Sequence, residues 1–128
     1  MYSHVMLGSN DLDRSKTFYD ALFTATGGKE GRIDPKGRLV YTNKDGILLI
    51  TKPIDGEAAT HGNGSTVGFA VDGPEQAQAW EQAGVATGGT AIEDPPGVRS
   101  GSGMNLYLAY LRDPDGNKLC ALHRLPGE

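Results

Sequence analysis

The sequence contains three histidines and one cysteine, whose side chains can act as metal ligands, proton carriers or nucleophiles. An imidazole changes charge near neutral pH, so His4 suits a metal-ligand or proton-transfer role, and the alternative is a buried neutral histidine. Cys120 is a nucleophile only if its surroundings lower the thiol pKa; otherwise a buried strand cysteine is an inert small apolar residue. His123 lies three residues from Cys120, which on a strand places them on opposite faces and disfavours a joint site. His61, beside Gly62 in a polar segment, is expected in solvent.

Short strands and a helix must position His4. Residues 3–8 alternate in a way that suits a strand, with His4 and Met6 sharing one face. Asn10 or Asp11 then caps a helix, which a pair of glycines ends at Gly27. Three strand candidates follow, separated by turn residues: Lys29–Ile33, Arg38–Asn43 and Gly46–Thr51.

The same order of elements then occurs a second time. After a polar segment rich in glycine and alanine, a strand is expected at Ser65–Val71 and a helix beginning at Pro74. Further strand candidates lie near Gly89–Glu93, Leu106–Arg112 and Asn117–His123. The chain is therefore predicted to be a single domain, 1–128, made of two βαβββ modules at 1–52 and 64–124 with a linker at 53–63. Each module would leave a sheet face bare, so the two must pack together.

Composition narrows the classes of function. The chain of 128 residues has a net charge of −4 with neither sign clustered, which disfavours a nucleic-acid partner. Its longest apolar run, at 47–50, is too short to cross a bilayer, and its first residues lack a signal core. One cysteine rules out an intrachain disulfide framework and a multi-cysteine zinc site, so the cytoplasm is the expected location. The 19 glycines are expected in turns and at positions where a side chain would collide with neighbouring atoms.

Several motifs, taken in order, carry a family likeness over nearly the whole chain. The sequence resembles the vicinal oxygen chelate superfamily, which includes glyoxalase I, extradiol dioxygenases, bleomycin-resistance proteins and fosfomycin-resistance enzymes. It looks most like the small glyoxalase-like proteins of bacteria. The motifs are His4-Val5 with Asp11-Leu12, Asn63-Gly64 with Val67-Gly68-Phe69, Pro96-Gly97-Val98-Arg99, and Tyr110 with Asp113-Pro114-Asp115-Gly116-Asn117.

This resemblance implies an α+β fold in which two tandem βαβββ modules form a cup-shaped mixed sheet that holds a metal ion and a substrate. The superfamily's usual ligands, drawn from His, Glu and Gln, lie on the first and last strands of each module. Carried over to this chain, the first position is His4 and is intact. The others fall on Leu48 or Leu49, on Thr66 and on Cys120. Only one good ligand therefore remains, where such a site typically needs three of N or O type.

Two further side chains are candidates for contact with a ligand in the cup. Arg99 lies in a glycine-rich stretch that we expect to be an irregular loop at the mouth of the cup. The resemblance places an arginine there, where a guanidinium could clamp an anionic or carbonyl oxygen; the alternative is a loop salt bridge with Asp94 or Glu93. Of the two tyrosines on the predicted strand Leu106–Arg112, Tyr107 is slightly favoured over Tyr110 as the one that faces the cup.

The favoured function is the binding of a small organic molecule in the cup without the superfamily's usual metal site, with no cofactor expected. His4, Thr66, Arg99, Tyr107 and Cys120 are the expected contact residues. The alternative is a divalent-metal-dependent lyase, isomerase or dioxygenase, in which His4 would be a ligand of zinc, nickel, iron or manganese. A third interpretation is an interaction protein that uses exposed strand edges. The resemblance also implies a homodimer.

Overall fold

The computed structural model describes residues 1–101 and 103–126 and contains two sheets, each with one helix. The first module consists of β1 (His4–Gly8), α1 (Leu12–Ala25), β2 (Arg32–Ile33), β3 (Leu39–Asn43) and β4 (Gly46–Thr51). The second consists of β5 (Val67–Ala70), α2 (Pro74–Ala86), β6 (Thr90–Ala91), β7 (Gly97–Gly101), β8 (Met104–Arg112) and β9 (Lys118–Arg124). The predicted α+β class with two repeated units is confirmed.

Both sheets have the same topology, with the first strand of the module parallel to the last. The first sheet has the order β1-β4-β3-β2 and the second the order β5-β9-β8-β6, with β7 also pairing with β8. In each sheet a helix connects the first strand to the strands that follow. This arrangement leaves one face of each sheet towards a helix and the other free of one.

The helices begin and end at the residues that the sequence indicates. Asp11 is the N-cap of α1, where its side chain accepts a hydrogen bond from the Arg14 amide at 3.0 Å. Gly27 has a φ of 85°, which glycine adopts readily, and the Gly28 amide then bonds the Phe23 carbonyl at 2.7 Å. Pro74 occupies the first turn of α2, where its missing N–H costs no helical hydrogen bond.

The core lies between the two helices and the helix-facing sides of both sheets. Phe18 and Tyr19 of α1 are completely buried, as are Leu111 and Leu119 of the second sheet. The helices approach closely at Gly84 of α2, where an added Cβ would lie 3.1 Å from Leu22 Cδ2 and 3.3 Å from Phe18 Cε1 of α1. One continuous cluster therefore joins the modules.

Three predicted elements differ from the structure. The strand expected at Lys29–Ile33 is reduced to β2, because the Gly31 amide donates instead to Asp20 on α1 at 2.8 Å. The strand expected at Gly89–Glu93 is reduced to β6. The irregular loop expected around Arg99 is wrong: this stretch is β7, which pairs with the first half of the nine-residue β8. Ser102, part of that expected loop, lies outside the described residues.

Candidate functional site

The side of each sheet that faces away from the helices is called here its cup face. In the first sheet it carries His4 and Met6 of β1 beside Ile47 and Leu49 of β4, because partners in register point to the same side. Val40 of β3 extends it beyond Leu49. Met6 is 43% exposed and Ile47 is 41% exposed. This surface is apolar at its centre, with His4 at one end and with Arg32 of β2 and Thr42 of β3 also on it.

In the second sheet the strand register arranges the cup face in four rows that cross the strands. The row of β8 residue Leu108 includes Gly97, Leu122 and Ala70, and the next row joins Tyr110 to Cys120 and Gly68. A third row, at one end, contains Arg99, Leu106 and Arg124, and a fourth, at the other end, contains Thr90, Arg112 and Lys118. The centre is therefore apolar and built partly from small side chains, whereas both ends are basic.

The structure distributes the four positions of the superfamily's usual metal ligands over both cup faces. His4 shares a face with Leu49, because Leu49 pairs with Met6, whereas Leu48 points into the core. Cys120 is on the second sheet, and Thr66 lies directly before β5 and is exposed. Of these residues only His4 and Cys120 have strong donor atoms.

This set of side chains does not fit the superfamily's divalent metal ion. His4 Nδ1 lies 2.8 Å from Ser3 Oγ, and His4 and Cys120 belong to different sheets. Within residues 1–101 and 103–126, no group of three or more His, Cys, Asp or Glu side chains is arranged to hold a metal ion. Leucine has no donor atom at all.

Cys120 is a buried thiol rather than an activated one. It is 7% exposed, and its Sγ would lie 3.3 Å from a Cβ added at Gly68. Burial raises the pKa of the Cys120 thiol, because removal from water disfavours the thiolate; Lys118 opposes this shift only in part. Cys120 therefore supplies apolar surface at the centre of the cup face.

The orientation expected for the two tyrosines is wrong. Tyr107 lies on the helix-facing side of β8, within the core cluster, and its hydroxyl accepts a hydrogen bond from Gln78 of α2 at 2.8 Å. Tyr110 is the tyrosine on the cup face, where the Lys118 ammonium lies 5.0 Å from its ring centre. Burial raises the pKa of the Tyr110 hydroxyl, and the charges of Lys118 and Arg99 counteract that rise. The hydroxyl is therefore a neutral hydrogen-bonding group.

Arg99 is half-buried on β7 and forms neither of the two salt bridges considered from the sequence. Its Nη2 donates to the main-chain carbonyls of Asp94 at 2.9 Å and of Pro95 at 3.0 Å. Glu93 pairs instead with Lys118. These carbonyls hold the guanidinium in place. No carboxylate among the described residues forms an ion pair with it.

Two cavities adjoin the cup face of the second sheet at opposite ends. The larger, about 480 Å³, is lined by Leu106, Met104 and Arg124 among others. The smaller, about 200 Å³, is lined by both Met6 of the first sheet and Lys118 of the second. The two cup faces therefore meet at this second cavity.

The Asp113–Asn117 turn, the most specific motif in the sequence, joins the two modules. Asp113 is 4% exposed, and its carboxylate accepts from the Tyr19 hydroxyl at 2.5 Å and from the Asn117 side chain at 2.8 Å. Asp115 accepts from the Asn10 amide at 2.9 Å and from Arg14 at 2.8 Å. The motif therefore has a structural role, in contact with the start of α1.

The remaining histidines take no part in either cup face. His123 is on the helix-facing side of β9, with Nδ1 3.3 Å from the Val71 carbonyl oxygen, and Cys120 points to the opposite side as expected. His61 is exposed, next to Gly116. Sequence reasoning did not single out Tyr110, Arg112, Lys118 or Arg124 as contact residues. Lys118 and Arg124 alternate with Cys120 along β9, and this spacing could have identified them. For Tyr110 and Arg112 the sequence offers no such signal, because both faces of β8 carry leucines.

Neither helix in the described residues is long and apolar enough to span a membrane. The sequence matches the family described as Glyoxalase/Bleomycin resistance protein/Dioxygenase superfamily over residues 2–121. No curated protein matches the chain.

Solved structures match the chain over nearly its whole length. A glyoxalase/bleomycin resistance protein from Albidiferax ferrireducens T118 is 57% identical, with a TM-score of 0.93, and the match covers 97% of this chain and 99% of that one. A glyoxalase/bleomycin resistance protein/dioxygenase family enzyme from Burkholderia phytofirmans PsJN is 18% identical, with a TM-score of 0.71 and coverage of 96% and 98%. The fosfomycin resistance protein FosX from Mesorhizobium loti is 14% identical, with a TM-score of 0.64 and coverage of 95% and 90%. At these identities the last two show the fold alone.

Proposed function

We propose, on the premise that this chain belongs to the Glyoxalase/Bleomycin resistance protein/Dioxygenase superfamily, that it binds a small organic molecule on the cup face of its second sheet. The observation that supports this is the row of Gly68, Cys120 and Tyr110 beside the row of Ala70, Leu122 and Leu108. Small side chains on the edge strand leave space above it, and the leucines offer apolar surface to a ligand.

Other residues would complete this site. Thr66 and Arg99 remain proposed contacts, because both lie at the border of the apolar centre, and Cys120 forms part of its floor. Tyr110 takes the place that the sequence assigned to Tyr107. His4 would contribute from the cup face of the first sheet.

A neutral probe tests this function directly. N-phenyl-1-naphthylamine becomes fluorescent in apolar surroundings, so we expect it to bind the wild-type protein with saturable fluorescence. Ala70 is exposed on the cup face, so Ala70→Trp would fill the space and abolish the signal without disturbing the core. Ala86→Trp, at the exposed end of α2, is the matched control and should bind as the wild type does. Binding that is absent, or equal in both variants, would refute the proposal.

We also propose that this binding does not use the superfamily's usual metal site. Leu49 has no donor atom, and the raised pKa of the Cys120 thiol works against a thiolate ligand. Elemental analysis of protein purified without chelator or affinity tag is the test. Zinc, nickel, iron or manganese near one equivalent per chain, and lost in His4→Ala, would favour the metal-dependent lyase, isomerase or dioxygenase instead.

A homodimer is the assembly that we propose, with a reducing cytoplasm as its location. The cup face of the first sheet exposes Met6 and Ile47 beside the buried Val40 and Leu49. A second copy that covers this apolar surface would also enclose the ligand. The single cysteine, a free and buried thiol, suits a reducing compartment.

A further inference from the structure

The cup face of the second sheet is basic, although the chain as a whole is acidic. Four of the 12 basic residues lie on this face, while the net charge is −4. Glu93 is the carboxylate that pairs with one of them, through Lys118. The basic residues are Arg99, Arg112, Lys118 and Arg124. A local excess of one charge beside an apolar surface attracts ligands of the opposite charge.

Arg99 is the cation best placed to contact a ligand on the apolar centre. A Cβ added at Gly97 would lie 3.3 Å from Arg99 Nη1, so the guanidinium lies over Gly97, in the row of Leu108 and Leu122. Its Nη2 is occupied by the two main-chain carbonyls. The N–H groups of Nη1 and Nε have no acceptor among the described residues and remain available to an anion.

Arg124 adds a second positive charge to this face, on the other side of Leu106 from Arg99. Leu106 pairs with Arg99 on β7 and with Arg124 on β9, so the two arginines are about 10 Å apart at the backbone. The Arg124 side chain donates a hydrogen bond to the Met104 sulfur at 2.9 Å, and thioether sulfur is a weak acceptor. Neither arginine is in an ion pair with a described carboxylate.

We propose that the ligand of this face is an organic anion whose apolar body lies on Leu108, Leu122 and Ala70 and whose acidic group is bound by Arg99. This inference rests on the proposed function and adds the charge of the ligand to it. Arg124 strengthens the attraction at longer range. The Tyr110 hydroxyl, in the row next to Leu108 and Gly97, donates a further hydrogen bond to the acidic group.

Two probes with the same aromatic skeleton separate charge from apolar contact. 8-Anilino-1-naphthalenesulfonate carries a sulfonate, and N-phenyl-1-naphthylamine lacks it. We expect the sulfonate to bind the wild-type protein about tenfold more tightly, because a hydrogen-bonded ion pair contributes that much. Raising the salt concentration should weaken binding of the sulfonate and leave binding of the neutral probe unchanged.

Variants then locate the effect. Arg99→Gln should weaken binding of the sulfonate about tenfold and should leave the affinity for the neutral probe unchanged. Lys36→Gln removes a positive charge from the exposed turn before β3 and should change neither. Equal affinities for the two probes, or equal effects of Arg99→Gln and Lys36→Gln, would overturn the anion proposal while the proposed function stands. If neither probe binds, the proposed function itself fails.

Discussion

At the scale of single residues, environment decides the chemistry of Cys120 and of the tyrosines. Cys120 occupies a position at which the superfamily usually has a metal ligand, yet it is buried with no described cluster of donors around it. Tyr107 and Tyr110 are three residues apart on β8 and therefore point to opposite sides of the sheet. The first hydrogen-bonds to α2, and the second lies on the cup face beside Lys118.

Cys120 should react slowly with alkylating reagents. Because burial raises its pKa, less thiolate exists in the folded protein than in the unfolded chain at any pH near neutrality. We expect the pH profile of iodoacetamide alkylation, followed by mass spectrometry, to lie at higher pH in buffer than in urea. A folded protein that reacts as fast as the urea-unfolded one at pH 7 would contradict the raised pKa of Cys120.

The type of a residue does not show which side of the sheet a tyrosine on β8 points to. The alternation of β8 was evident from the sequence, but both of its faces carry leucines, Leu106 and Leu108 on one and Leu111 on the other. Hydropathy therefore could not distinguish the core from the cup. For Cys120 and His123 the relative placement was correct, because it depends only on odd spacing along one strand.

At the scale of elements, the turn between β8 and β9 connects the two modules. The Asp113 carboxylate accepts four hydrogen bonds: from the Tyr19 hydroxyl, the Asn117 side chain and the amides of Asp115 and Asn117. All four partners are donors. A buried carboxylate that receives this many hydrogen bonds fixes the position of every group that donates to it.

Asp113→Asn should destabilise the protein by about 2–4 kcal/mol, because its amide group would place a donor against donors in a buried site. Urea unfolding followed by circular dichroism measures the change. Asp45→Asn makes the same change in an exposed turn and should shift the free energy of unfolding by less than about 0.5 kcal/mol. Similar effects for both variants would mean that the Asp113 network does not contribute to stability.

The sequence predicted the regular elements well and the edges of the second sheet poorly. The helices and the strands β1, β3, β4, β5, β8 and β9 follow from hydrophobic alternation and capping residues near the predicted bounds. The strand β7 was missed because Gly97, Ser100 and Gly101 carry loop chemistry, and only Val98 is apolar. Its pairing depends on the unpaired edge of β8, which no local pattern reveals.

At the scale of the whole molecule, packing between the helices leaves both cup faces without cover from the chain's own helices. α1 and α2 pack against each other through one shared core, so neither helix can cover the opposite side of a sheet. The first cup face is apolar and the second is basic around an apolar centre. These properties suit a ligand held between subunits.

The wild-type protein should sediment as a dimer, and Ile47→Lys should convert it to a monomer. Ile47 is 41% exposed on the cup face of the first sheet, and a charge there would oppose burial by a second copy. Val85→Lys, at a position 50% exposed on α2, is the matched control and should remain dimeric. Sedimentation velocity distinguishes these states, and a monomeric wild-type protein would contradict the proposed assembly.

The contacts of the Asp113–Asn117 turn also affect how the protein is made. Asn10 and Asp115 are 105 residues apart along the chain, and Tyr19 and Asp113 are 94 apart. During translation, the first module leaves the ribosome long before its partners in this turn exist. Ser15 and Tyr19 then lack their acceptors in this turn, and β9, the parallel partner of β5, is synthesised later than β5 itself. The fold is therefore completed only after β9 has been synthesised, and a chain released before residue 113 would have an incomplete core.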